Sequence, residues 1–210
     1  MSEVKTEKLS PRVTSLQLGD SGDTFTVPSG ATLDIASGAT ITNSGSQSGF
    51  GKVLQVVQGV KTDTFSTQSA TLVDITGLSV DITPSSTSSK VLVFVSVWAS
   101  SSYYVAHIGL FRDSTEIAVA PTAGNRPLSL LDYAFDVTMQ STHGQNNNLN
   151  SHYLDSPSST STLTYKLKTA RRYDNQSTPT SYINRTVPDR NTVGYDPRKI
   201  SMITAMEIAG

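Results

Sequence analysis

The chain's imidazoles are His107, His143 and His152. No two stand at the helical or strand-mate spacing that a zinc site uses. His107 lies in an apolar, strand-like run, where it reads as a packed or interface residue rather than a ligand. Cysteine is absent, which removes thiolate chemistry and any disulfide framework. Hydroxyls are plentiful, yet no nucleophile elbow surrounds any serine. Asp132 and Asp136 are spaced for one helix face, and paired carboxylates are what glycoside hydrolysis needs. Their surroundings do not read as a helix. GSQSGFGK (45–52) superficially follows a phosphate loop, but Ser46 stands where glycine is required and Val53 where Ser or Thr is required. The expectation is a protein that is not an enzyme, with no catalytic residue, no metal ligand and no cofactor.

Binding chemistry is better represented. The stretch 165–199 holds Lys166, Lys168, Arg171, Arg172, Arg185, Arg190, Arg198 and Lys199 against Asp174, Asp189 and Asp196, with Tyr165, Tyr173, Tyr182 and Tyr195 interleaved. One reading is a surface for anionic glycans or phosphates, with tyrosines stacking on sugars. The plainer reading is solvated loops whose charges pair locally. The segment QSTHGQNNNLNSHY (140–153) reads as a long exposed loop, a common seat of recognition on a rigid β-scaffold. Tyr103 and Tyr104 read as a similar tip. Candidate receptor contacts are therefore Tyr103, Tyr104, His143, Asn146, Asn147, Asn148, Arg171, Arg172 and Tyr173.

The elements that would carry these groups are strands. Ser and Thr make up over a quarter of the 210 residues and charged residues only 16%, a balance that suits strands with polar outer faces. The net charge of −1 gives no pull toward nucleic acid. The N-terminus lacks the apolar core of a signal peptide, and no apolar run reaches the ~20 residues that span a bilayer. The Asn175 and Asn184 acceptor patterns, without a secretion signal, read as chance.

Residues 25–45, FTVPSGATLDIASGATITNSG, repeat with a period of eight. Phe25, Leu33 and Ile41 form one column; Val27, Ile35 and Asn43 form another. Each unit is a short strand with two apolar residues on one face, followed by a Gly-containing turn. Burial of so few side chains stabilises less than the ordering of about 20 residues costs, at ~1–2 kcal/mol each. The segment therefore needs partners, most simply copies of itself with Phe25, Val27, Leu33, Ile35 and Ile41 turned inward.

From about residue 52 the strands lengthen. In KVLVFVSVWAS (90–100), Val91, Val93, Val95 and Val97 make one face and Leu92, Phe94, Ser96 and Trp98 the other. Both faces are apolar. ISMITAMEIAG (200–210) sets Ile200, Met202, Met206 and Ile208 against Ile203, Ala205 and Ala209. Residues 104–120 read as two strands about Asp113-Ser114-Thr115, and 163–169 as a half-exposed strand. Shorter candidates are 53–58, 64–68, 71–76 and 78–83. Some eight to ten strands with turn residues between them predict an all-β sandwich or jelly roll. The second apolar face predicts an oligomer interface, with Val91, Val93, Val95, Val97, Met202 and Met206 as core and interface residues.

With those residues in view, the chain resembles tail-fibre and related virion proteins of tailed bacteriophages, marine ones especially. KLSPRVTSLQLGDSGDTF (8–25) and VPSGATLDIASGAT (27–40) carry the resemblance in the N-terminal part. SSKVLVFVSVWAS (88–100), GLFRDSTEIAVA (109–120), YLDSPSSTSTLTYKL (153–167), INRT (183–186) and ISMITAMEIA (200–209) carry it in the C-terminal part. The resemblance implies a homotrimer, a thin N-terminal shaft or anchor and a jelly-roll head of tumour-necrosis-factor-like type. The expected organisation is an anchoring segment (1–24) on other virion proteins, a β-repeat stalk and Gly/Ser hinge (25–51) and a head (52–210). The expected role is host attachment from a short tail fibre or tip, through a host surface glycan or protein. Nucleic acid and membrane insertion are not expected. Capsid decoration and a glycan-degrading tailspike are the alternatives.

Overall fold

The computed structural model describes residues 26, 28–32, 52–102, 105–122, 124, 128–134, 146–172 and 178–210. The chain falls into two compact units, Met1–Ser48 and Gly49–Gly210. In the first, Pro28–Ala31 close a turn: the Ala31 amide donates to the Pro28 carbonyl at 3.0 Å, and Gly30 has φ 83°. A side chain there would be strained, which is why the repeat places glycine at this step. The columns Phe25, Val27, Leu33, Ile35 and Ile41, the anchor 1–24 and the hinge lie outside the described residues.

Among the described residues, every regular element of the second unit is a strand. Its elements are β1 (Val53–Lys61), β2 (Phe65–Thr67), β3 (Val73–Ile82), β4 (Lys90–Ser101), β5 (Val105–Arg112), β6 (Thr115–Ile117), β7 (Leu131–Ala134), β8 (Asn147–Asp155), β9 (Leu163–Arg172), β10 (Ser181–Ile183) and β11 (Ser201–Ile208). In one sheet β8 flanks one edge of β4, while β11 and then β10 share the other. Beyond these lie β1, on β11, and β2, on β10. The other sheet runs β3–β9–β5, with β6 and β7 sharing the far edge of β5. Every pairing is antiparallel. From β3 to β5, and again from β7 to β10, each connection crosses between sheets, which is the jelly roll the sequence predicts.

The two sheets close on one apolar core. Val91, Val93, Val95, Val97 and Ala99 of β4 and Ile203 and Ala205 of β11 form one wall. Ile75, Leu78, Val80 and Ile82 of β3, Ile108 and Leu110 of β5, and Leu163, Tyr165 and Leu167 of β9 belong to the same cluster. At about 1.5–3 kcal/mol for each fully buried large side chain, this alternation fixes which face of each strand turns inward.

Three expectations change. Residues 71–76 and 78–83 form one strand rather than two. Its pairing with β9 slips between Asp74 and Ser79, around Gly77 at φ 88°. Glycine here makes a bulge inside a strand, not its end. The expected loop 140–153 is a strand from residue 147 onward: Leu149 and Tyr153 pack on the core while Asn148, Asn150 and His152 face out. The polar outer positions hide the alternation. Asp132 lies in β7, a strand, so its helical spacing to Asp136 does not hold; Asp136 lies outside the described residues.

The head has two distinct ends. Ser101, Val105, Ala134, Asn147, Arg172 and Ser181 finish or begin strands at one of them. At the other, Val53, Ile208 and Lys90 meet, and the Ala209 amide donates to the Lys52 carbonyl at 2.9 Å. The chain thus enters and leaves the head at the same end.

Candidate functional site

The outer face of the β8–β4–β11–β1 sheet is the larger candidate. Strand alternation turns Leu92, Phe94, Ser96 and Trp98 outward from β4, and the register lines up their neighbours. One row reads Val56, Met206, Leu92, Leu154. The next reads Gln58, Thr204, Phe94, His152, and the third Val60, Met202, Ser96, Asn150. Val56 is 53% exposed, Val60 47%, Leu154 46% and Phe94 41%, large values for apolar side chains in mid-sheet. Four strands at ~4.8 Å and five or six residues at ~3.4 Å make a face of roughly 300–400 Å², which the apolar side chains share with Gln58, Thr204, His152, Ser96 and Asn150. A patch of that size is about the largest that a typical monomer exposes, and such patches are often functional.

Charge is missing from those three rows. The nearby carboxylates of Glu207 and Asp155 belong to inward positions and are buried. Lys90 stands at the foot, level with Ile208, and the Lys199 ammonium sits 4.6 Å above the Trp98 ring at the head. Phe94 and His152 pair with ring centroids 6.0 Å apart, beside a depression of about 310 Å³ that Met202 and Thr204 also line. Of the six residues expected as core and interface, Val91, Val93, Val95 and Val97 lie in the core, while Met202 and Met206 are half-buried on the outer face. The sheet pleat separates the two groups.

Of the expected receptor contacts, Asn146, Asn147, Asn148 and Arg171 are described, and they lie toward the end opposite chain entry. Asn147 and Asn148 lie in β8, paired with Ala99 and Trp98, and Asn148 Oδ1 accepts from Ser96 Oγ at 3.2 Å. Asn146 immediately precedes that strand. Arg171 Nε donates to the Gln68 carbonyl at 2.7 Å, so its guanidinium holds the β2–β3 connection. Tyr103, Tyr104, His143, Tyr173 and the Arg172 side chain lie outside the described residues. His107 is buried in β5 with Nε2 3.6 Å from Glu116 Oε1.

The basic stretch pairs locally. Lys166 and Lys168 reach Asp74 at 3.0 and 3.3 Å, and Lys166 chiefly holds that carboxyl below its ordinary range. Arg198 meets Asp189 at 2.7 Å and Arg185 meets it at 3.4 Å, while Arg185 also stacks on Tyr182. Arg190 donates to Asp196 from its backbone and from Nε, both at 2.7 Å, and its side-chain bond is the main cause that lowers Asp196 to about 2. A surface built to attract anions would leave such cations unpaired.

Two buried carboxylates and an asparagine fasten the head. Burial alone would raise the pKa of Glu207. Donors from Ser85 (2.6 and 2.7 Å), Gln55 (2.7 Å) and Ser89 (2.7 Å) outweigh it and bring the group to about 2. Asp155 of β8 accepts from Arg112 of β5 and Tyr165 of β9, both at 2.7 Å, tying the sheets together. Burial, then Asp155, pushes the Tyr165 phenol up. Asn184, at φ 62°, donates to the carbonyls of Lys61 (2.8 Å) and Asp63 (2.9 Å) and accepts from Ser201 Oγ (2.6 Å). The signal for Glu207 was an acid in the inward column of Ile203 and Ala205.

No family model and no curated protein matches the chain. Among solved structures it is similar to a chain from the structure of infectious bursal disease virus Gt strain. That match has 16% identity and a TM-score of 0.37, covering 73% of this chain and 40% of that one. A chain from the Gx strain of the same virus gives 11% identity and a TM-score of 0.33, covering 80% and 44%. The chain spans less than half the length of either.

Proposed function

We propose that the protein is a non-enzymatic, homotrimeric virion fibre, most simply a short tail fibre or tip of a bacteriophage that binds the host surface. The observation that carries self-association is the half-exposed, largely apolar face of the β8–β4–β11–β1 sheet, and the number three follows the sequence resemblance. Leaving Val56, Phe94, Leu154 and Val60 in water forfeits burial that a second and third copy would supply. The sequence resemblance supplies the virion and the phage. The two-ended head suits the role: residues 1–24 dock to other virion proteins, and the loops facing away from Lys52 meet a host glycan or protein.

Light scattering on the full-length protein tests the assembly. Three times the 22.4 kDa chain mass is expected. Phe94→Asp places a charge on the outer face without entering the core, and is expected to give a folded monomer by scattering and circular dichroism. A wild-type monomer, or a Phe94→Asp trimer, would sink the reading. Immunogold labelling of virions then assigns place: gold at the tail supports the fibre tip, and gold over the capsid replaces it with a decoration role.

A further inference from the structure

The connection 184–200 between β10 and β11 is long, irregular and firmly held. Asn184 fixes its base. Asp196 closes its middle on Arg190, and Asp189 gathers Arg185 and Arg198. On this frame the tip is a four-residue turn: the Tyr195 amide donates to the Thr192 carbonyl at 3.2 Å, with Gly194 at φ 88°. The turn presents Val193, 99% exposed, and Tyr195, 59% exposed. The Arg190 guanidinium lies 4.8 Å from the Tyr195 ring centroid, which braces the ring. Beside the ring is a depression of about 330 Å³ bordered by Asn191, Thr192, Asp196 and Arg198. That volume is at the lower end of small-ligand clefts, about 300–1,000 Å³.

We infer that this tip is a binding site for one unit of a neutral saccharide. An aromatic ring braced from one side offers an apolar face to the C–H side of a pyranose. Amide, hydroxyl, carboxylate and guanidinium groups around it donate and accept toward hydroxyls. The charged residues lining the depression, Asp189, Arg190, Asp196 and Arg198, sum to zero, so its immediate walls favour neutral hydroxyls over sulfate, phosphate or uronate, with Arg185 behind Asp189 as the surplus cation of the frame. The ion pairs keep the ring ordered before a sugar arrives, which lowers the entropy lost on binding. The inference rests on the head being a host-binding module.

The test is retention of the full-length protein on immobilised mannan, dextran, galactan and chitin oligomers, with heparin and dextran sulfate as acidic probes. Wild type is expected to bind at least one neutral polymer and neither acidic one. Tyr195→Ala should weaken that binding about tenfold, while Tyr195→Phe, which keeps the ring, should stay within about threefold. Retention on none of the neutral polymers, retention only on the acidic ones, or neutral binding unchanged in Tyr195→Ala would each overturn the site. Light scattering on the same samples separates the two readings. A trimer indifferent to sugar loses this site and keeps the fibre; a sugar-binding monomer does the reverse.

Discussion

At the scale of single residues, Glu207 is the group most exposed to consequence. Its folded pKa of about 2 lies below the ordinary 4.5, so between those values the unfolded chain holds more protons than the folded one. The carboxylate's contribution is complete above about pH 4.5 and is lost as pH falls through about 2. Urea midpoints of wild type should therefore be level from pH 7 to 5 and drop below pH 4.5. Glu207→Gln should lower the midpoint at pH 7, by about 2 kcal/mol of stability, and flatten the acid slope. An unchanged slope would place the acid sensitivity elsewhere. Glu207 was passed over at the level of sequence, because alternation alone does not say that the Ile203 and Ala205 face turns inward. Its donors were not legible, because Ser85 and Ser89 look like any other hydroxyls of a Ser-rich turn until the fold brings them together.

At the scale of elements, strong alternation was read correctly and weak alternation was not. β4, β9 and β11 announce themselves through valines, leucines and methionines two apart. β8 does not, because its outward residues Asn148, Asn150, His152 and Leu154 are mostly polar and its inward residues Leu149, Ser151, Tyr153 and Asp155 are only half apolar. Tertiary pairing with β4 makes it a strand. β3 shows the opposite error, since Gly77 looks like punctuation and is a bulge. A Cβ at Gly77 would touch only Lys61 at 3.8 Å or more, so space is not the obstacle there; φ 88° is. Gly77→Ala is expected to cost about 1–2 kcal/mol in chemical denaturation, and Gly77→Asn less, because asparagine tolerates that backbone region better. Equal losses for both would mean that side-chain packing, not backbone strain, sets the penalty.

At the scale of the whole molecule, the two apolar faces of β4 carry the sequence's clearest message about assembly. The valine face closes the sandwich and the phenylalanine face is left over. Sequence reasoning placed both sets in one list because alternation alone cannot say which face meets the chain's own second sheet. The tyrosine and arginine loops were singled out for their chemistry. The plainer reading, of charges that pair locally, holds for Arg185, Arg190 and Arg198. The partner of Lys166 and Lys168 was not legible, since Asp74 lies about ninety residues away.

The shared entry and exit of the head has a mechanical consequence. Tension transmitted from residues 1–51 reaches the head at Lys52, while a hold on the far loops resists from the other end. The pull then runs along β1, whose bonds to β11 lie across the strand from Val53 to Lys61. Such a pair cannot open one bond at a time; its eight partnered residues must slip together. In single-molecule pulling from the N-terminus against the far loops, the head should yield in one high-force step. Pulling between Lys52 and Gly210, which peels β1 from β11 at their common end, should open it at markedly lower force.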